Sequence, residues 1–81
     1  MDQPWDETFE EVVRAALVEY PPDAPLEPGT PLPAHGVDSI AMVGLAMVLE
    51  SSYGVTFPAR ALVPATFATA GALWDAVRTA N

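Results

Sequence analysis

The sequence predicts an all-α fold, a four-helix up-and-down bundle with a long first loop and a short third helix. Apolar residues recur at helical spacing in separate segments, prolines and glycines gather between them, and no segment alternates as a strand does. With 81 residues the chain is long enough for one small domain, 1–81, and about half of it is hydrophobic. The helices are expected at about 8–20, 39–53, 59–63 and 69–79.

The first helix is predicted from one apolar face. Its residues recur at three- and four-residue steps: Phe9, Val12, Val13, Ala16, Leu17 and Tyr20. Pro21 and Pro22 are expected to end it. The following stretch, 21–38, holds six prolines and two glycines, which exclude a regular helix or a central strand. Leu26 and Leu32 are expected to anchor this loop to the core.

The second helix, 39–53, is apolar almost all round. Asp38 and Ser39 are favoured at a helix start and Gly54 at a helix end. One face is expected to fill the core: Met42, Leu45, Ala46, Leu49 and Tyr53. The other is expected to meet a partner protein: Ile40, Val43, Gly44 and Met47. The alternative is that this second face is also part of the core.

The end of the chain predicts two more helices. A single turn, 59–63, precedes Pro64, and Thr69 opens a last helix that extends to about 79. Short connections with one long loop describe an up-and-down bundle with one crossover.

Charge and composition restrict the possible partners. Three Lys and Arg against eleven Asp and Glu give a net charge of -8, which argues against nucleic-acid binding and suits partners with basic surfaces. The first residues resemble no signal peptide, and the longest apolar stretch, 40–49, is too short to cross a bilayer. We therefore expect a cytoplasmic protein that does not bind membranes and is a monomer.

Catalytic and metal sites are not expected. His35, Asp38 and Ser39 lie within five residues of one another, where the geometry of a Ser-His-Asp triad is not expected. One histidine, no cysteine and scattered carboxylates give no metal-ligand spacing. Taken alone, Ser39 is an ordinary residue for a helix start.

In its context, the stretch from Gly36 to Ile40 resembles the acyl carrier protein family, including the discrete peptidyl carriers. The motif of that family is a glycine, any residue, and then Asp-Ser-Leu or Asp-Ser-Ile, which Gly36, Asp38, Ser39 and Ile40 match. The resemblance continues over about 8–77. It includes Leu45, Leu49, Glu50, Tyr53, Phe57, Pro58, Phe67, Thr69 and Leu73.

The resemblance implies a non-catalytic carrier with 4'-phosphopantetheine, taken from coenzyme A, attached to Ser39. A phosphopantetheinyl transferase would attach this arm, and Asp38 would help it recognise the site. A separate acyl- or aminoacyl-loading enzyme would charge the arm for a downstream synthase, transferase or thioesterase. Gly36 would let the chain turn and leave Ser39 accessible.

The second helix also departs from the family. Gly44 and Ser51 stand where fatty-acid carriers often have acidic residues, which leaves Glu50 nearly alone on the partner face. Hydrophobic docking through Ile40, Val43 and Met47 is then expected to contribute more. We therefore expect a specialised carrier of polyketide or nonribosomal-peptide type. A peptidyl or aminoacyl carrier and an unmodified protein-docking domain remain alternatives.

Overall fold

The structure, a computed structural model, describes residues 4–18, 20–21 and 23–80. Within these ranges three α-helices follow in order: α1 (Glu7–Ala16), α2 (Ser39–Tyr53) and α3 (Ala70–Thr79). Three 3₁₀ turns lie between them, at Pro33–His35, Ala59–Ala61 and Pro64–Phe67. The all-helical prediction is confirmed, but the predicted count of four helices is not, because the described part holds three.

Helix α1 ends four residues earlier than its apolar periodicity predicts. It begins after Asp6, whose carboxylate accepts a hydrogen bond from the Phe9 amide at 2.9 Å. It ends at Ala16, and the Val18 amide then donates to the His35 carbonyl oxygen at 2.8 Å. That long-range bond draws the chain out of the helix before the prolines. Residue 19 of the predicted helix and residue 22 of the predicted helix stop lie outside the described residues.

Helix α2 has the predicted bounds because signals at its two ends are local. The Asp38 carboxylate accepts a hydrogen bond from the Ala41 amide at 2.8 Å. At the other end Gly54 adopts a left-handed conformation, with φ of 63°, that terminates the helix.

The predicted third helix, 59–63, is absent as an α-helix. The chain makes one 3₁₀ turn at Ala59–Ala61 and a second at Pro64–Phe67. Pro64 has no amide hydrogen, and its ring would clash with the carbonyl four residues earlier, so an α-helix cannot continue through it. The last helix agrees with the prediction, with the Thr69 hydroxyl accepting from the Ala72 amide at 3.1 Å.

The proline-rich loop between α1 and α2 is packed against the core. Leu26 and Leu32 have no exposed surface, which confirms them as anchors. They belong to a single cluster with residues of all three helices, among them Phe9, Val13, Leu45, Leu49, Leu73 and Val77. The loop is therefore part of the domain's hydrophobic core.

The same loop supplies hydrogen bonds to the start of α3. The Thr30 carbonyl accepts from the Ala70 amide at 3.2 Å, and the Pro28 carbonyl accepts from the Gly71 amide at 2.9 Å. These amides belong to the first turn of α3, which has no partners for them within the helix. The loop therefore caps a helix that lies some 40 residues further along the chain.

An aromatic cluster fixes the start of α1 against α2 and α3. The Phe9 ring lies 5.3 Å from the Trp5 ring and 5.0 Å from the Trp74 ring, between centroids. The Tyr53 hydroxyl donates to the Asp6 carboxylate. The hydrogen bonds from Tyr53 and from the Phe9 amide lower the pKa of Asp6. Burial and the hydrogen bond to Asp6 raise the pKa of Tyr53.

None of the helices in the described ranges combines the length and hydropathy that a bilayer crossing requires.

Candidate functional site

Ser39 is the first residue of α2 and is exposed to solvent. The segment that leads to it is held in place two residues earlier, where Val37 is buried and its amide donates to the Leu32 carbonyl at 3.2 Å. The exposed hydroxyl is therefore presented from a fixed backbone, with the core on one side and a regular helix on the other.

Gly36 occupies a backbone position that suits glycine for two reasons. Its φ is 103°, in the left-handed region that side chains rarely adopt. A Cβ atom placed there would lie 2.6 Å from Cγ2 and 2.9 Å from Cβ of Val18. The close approach follows from the bond between Val18 and His35, which brings the end of α1 beside this turn.

Asp38 caps α2 in a way that leaves two amides available. Its carboxylate accepts from the Ala41 amide, and its carbonyl accepts from the Met42 amide at 2.8 Å. The amides of Ser39 and Ile40 have no hydrogen-bond partner among the described residues. They point out of the positive end of the helix dipole, where an anion is stabilised.

The Asp38 carboxylate therefore accepts a hydrogen bond from the backbone, and the His35 side chain contacts a different part of the chain. The His35 ring packs edge-on against the Tyr20 ring, with 4.9 Å between centroids. The two side chains contact different parts of the chain, and the structure assembles no triad from them and Ser39.

A cavity of about 220 Å³ opens beside Ser39. It is lined by Pro33, Val37, Asp38, Ser39, Met42, Pro64 and Phe67. Its walls are mostly apolar. Among the lining residues, the polar side chains are those of Asp38 and Ser39, at the start of α2. The proline turns before α2 and before α3 form the sides of this cavity.

The residues predicted to meet a partner lie together on the outside of α2. The side chains of Ile40, Val43 and Met47 are 82, 55 and 64 % exposed, and Gly44 is exposed beside them. The opposite face, with Leu45 and Ala46, is buried, as the sequence predicts. The four exposed residues, which we call the outer face of α2, form an apolar surface that begins at the residue after Ser39.

Glu50, also predicted for the partner face, has a partner within the chain. It is half-buried, and its carboxylate accepts a hydrogen bond from the Phe57 amide at 2.7 Å. Sequence reasoning missed this bond because Phe57 lies beyond the turn at Gly54. Glu50 therefore fixes the chain that leaves α2, and the outer face has no unengaged carboxylate after Asp38.

Glu50→Ala is expected to lower the free energy of unfolding by about 1.5 kcal/mol, because a charge-assisted hydrogen bond is lost and the amide of a buried residue is left without its partner. Urea denaturation followed by circular dichroism measures the change. Ser51→Ala, at the exposed neighbouring position, is the control and should lie within about 0.5 kcal/mol of the wild type. Equal stability of the two variants would contradict this role of Glu50.

Fold and site together define a small helical domain with an exposed serine hydroxyl at the start of a helix. A family model described as "Phosphopantetheine attachment site" matches residues 7–77. The chain belongs to this family, and its domain is an attachment site for covalently bound 4'-phosphopantetheine. The resemblance to the acyl carrier proteins is thereby confirmed. No curated protein matches the sequence.

Domains of this family are in general carriers that do not catalyse reactions themselves. They interact with a phosphopantetheinyl transferase and with the enzymes that use the attached group.

Proposed function

We propose that this protein is an acyl carrier that holds acyl groups as thioesters on a 4'-phosphopantetheine arm attached to the Ser39 oxygen. One observation carries this assignment: the Ser39 hydroxyl is exposed at the first position of a capped helix, next to a turn shaped around a glycine. A transferase needs such access, since Oγ must approach the phosphorus of coenzyme A.

The surroundings of Ser39 suit the phosphate that this linkage places there. The amides of Ser39 and Ile40, for which the described part of the chain provides no hydrogen-bond partner, lie at the positive end of the α2 dipole, which stabilises an anion. Asp38 is held beside them by its bond to the Ala41 amide. We assign to Asp38 the capping of α2 and, in addition, contact with the transferase.

The thiol at the end of the arm supplies a group that the chain lacks, because the sequence contains no cysteine. The arm then raises the local concentration of its cargo at each partner enzyme, as any flexible tether does. Catalysis is left to the loading and processing enzymes.

The cavity beside Ser39 is too small to enclose a large cargo. Its volume of about 220 Å³ lies below the roughly 300–1,000 Å³ of typical small-molecule pockets. Val37, Met42 and Phe67 give it an apolar lining that suits part of the arm or a short acyl group. A longer acyl chain would remain mostly outside the domain.

The outer face of α2 supports a specialised rather than a fatty-acid carrier. Ile40, Val43 and Met47 are exposed, and the carboxylate of Glu50 is engaged by the Phe57 amide. A partner that recognises acidic side chains would find only Glu50 within α2, and the Glu50 carboxylate accepts a hydrogen bond within the domain. We propose partners of polyketide or nonribosomal-peptide synthesis, which dock here through apolar contacts.

Intact-protein mass spectrometry tests the proposal. The protein is incubated with coenzyme A and a broad-specificity phosphopantetheinyl transferase, and a gain of one phosphopantetheine unit is expected. Fragmentation should place the added group on the peptide that contains Ser39. No gain in a protein with a helical circular dichroism spectrum would overturn the proposal and leave an unmodified protein-docking domain.

A further inference from the structure

A second, larger concavity lies between α1 and α2. Its volume is about 500 Å³. It is lined by Glu11, Val12, Ala15, Ala16, Ala41, Gly44, Leu45 and Val48. Seven of these residues are apolar or glycine, and Glu11 is the only charged one. We call this the α1–α2 groove.

The groove is separate from the cavity at Ser39. The two share no lining residue, and Met42 borders the cavity whereas Ala41 borders the groove. Ala41 is rotated about 200° around the helix axis from Ser39. An arm on Ser39 would have to pass round α2 to enter the groove, so the protein's own cargo is not its natural occupant.

Small side chains create the groove. Ala15 on α1 faces Ala41 and Gly44 on α2, and a Cβ atom added at Gly44 would meet no other atom within 4 Å. Gly44 also belongs to the outer face of α2, so groove and face form one continuous apolar surface. Val48, about half exposed, extends it by one more turn.

One rim of the groove is acidic, and within the described residues its carboxylates form no salt bridge. Glu7 and Glu11 are exposed and lie one turn apart on α1. The only basic residue of α1, Arg14, donates to the Glu10 carboxylate at 2.9 Å and to the Ala24 carbonyl at 2.6 Å. Arg14 lies near the same face as Glu7 and Glu11, but its guanidinium is engaged by Glu10 and Ala24 and forms no salt bridge with either of them.

We propose that the α1–α2 groove binds an amphipathic helix of a partner protein. Apolar side chains of that helix fill the groove, and its basic flank lies over Glu7 and Glu11. From Ala41 to Val48 the groove runs for about 10 Å, or two helical turns, which matches anchors at positions i, i+3, i+4 and i+7.

The charge distribution argues against a second copy of this chain as the occupant. A two-fold contact through the groove would bring Glu7 and Glu11 of both copies to one interface, and each copy carries a net charge of -8. A basic helix meets the same rim with complementary charge. The proposal concerns a partner surface only, and its test uses the protein before modification.

Binding of two synthetic peptides tests it. Both form amphipathic helices with leucine at i, i+3, i+4 and i+7; one has lysines along the flank and the other has glutamates in their place. NMR titration at low ionic strength should show at least tenfold tighter binding of the lysine peptide. The amide shifts should centre on Ala15, Gly44 and Val48. Shifts centred on Met42 and Ser39, self-association at that surface, or no binding would each overturn the proposal.

Matched variants separate the groove from the overall acidity of the protein. Glu11→Gln should weaken binding of the lysine peptide several-fold, whereas Glu27→Gln, which removes an equal charge from the exposed loop, should leave it unchanged. Gly44→Leu fills the groove and should weaken binding about tenfold. Equal effects of the two glutamine variants would overturn the proposal. Modification at Ser39, measured on the same samples, reports separately on the carrier function.

Discussion

Ser39→Ala is expected to take up no phosphopantetheine under conditions that convert the wild type completely. The reason is chemical, since the alanine has no oxygen to form the bond to phosphorus. The fold should be unchanged, because Ser39 is exposed and its replacement leaves the cap between Asp38 and Ala41 in place. Intact mass measures the modification, and circular dichroism confirms the helices.

The chain offers its own control, because it contains two other serines, at 51 and 52 in the same helix. Both are exposed. The double variant Ser51→Ala, Ser52→Ala should be modified like the wild type. If Ser39→Ala still gained the group, or if the double variant lost it, Ser39 would not be the attachment site.

Gly36→Ala is expected to lower the free energy of unfolding by roughly 2–4 kcal/mol. The left-handed backbone costs a residue with a Cβ about 1–2 kcal/mol. The contact at 2.6 Å with Val18 adds the cost of moving the end of α1, which is of the order found for overpacked side chains. The loss is large for a small domain. Urea denaturation measures the loss of stability, and the rate of modification at Ser39 should fall as stability is lost.

Variants at two other glycines separate the cost of the left-handed backbone from the cost of the steric contact. Gly54 has φ of 63° and free space around it, so Gly54→Ala should cost about 1–2 kcal/mol from the backbone alone. Gly29 has free space and no such constraint, and Gly29→Ala should be neutral or slightly stabilising. A cost at Gly36 no larger than that at Gly54 would contradict the steric argument.

The parts of the fold that the sequence predicts are those with local causes. The bounds of α2 depend on the cap at Asp38 and on Gly54, each adjacent to the helix end that it determines. The burial of Leu26 and Leu32 follows from two large apolar side chains in a proline-rich segment. Such signals act over a few residues, and reasoning along the chain detects them.

Most features of the fold that the sequence does not predict depend on contacts between distant residues. The end of α1 is set by the bond from Val18 to His35, which periodicity along α1 does not contain. The short third helix is the exception: it is a 3₁₀ turn, and its cause is local, since Pro64 disfavours an α-helical turn before it.

The candidate site shows the same division between local causes and long-range contacts. Ser39, Asp38 and Gly36 stand out by sequence motif, whereas the second reason for Gly36, the nearness of Val18, is visible only in the fold. The engagement of Glu50 by the Phe57 amide is likewise tertiary. A sequence motif therefore predicts the residues of the candidate attachment site, but it does not distinguish partner contacts from structural bonds.

The capping of α3 by the proline-rich loop has a consequence for how the domain folds. The first-turn amides Ala70 and Gly71 find their acceptors at Thr30 and Pro28. Closing a loop of about 40 residues costs entropy before these bonds form, and non-local contacts slow folding relative to bundles with local contacts only. The first turn of α3 gains these acceptors only when the loop has docked, so we expect the loop and the last helix to fold and unfold together.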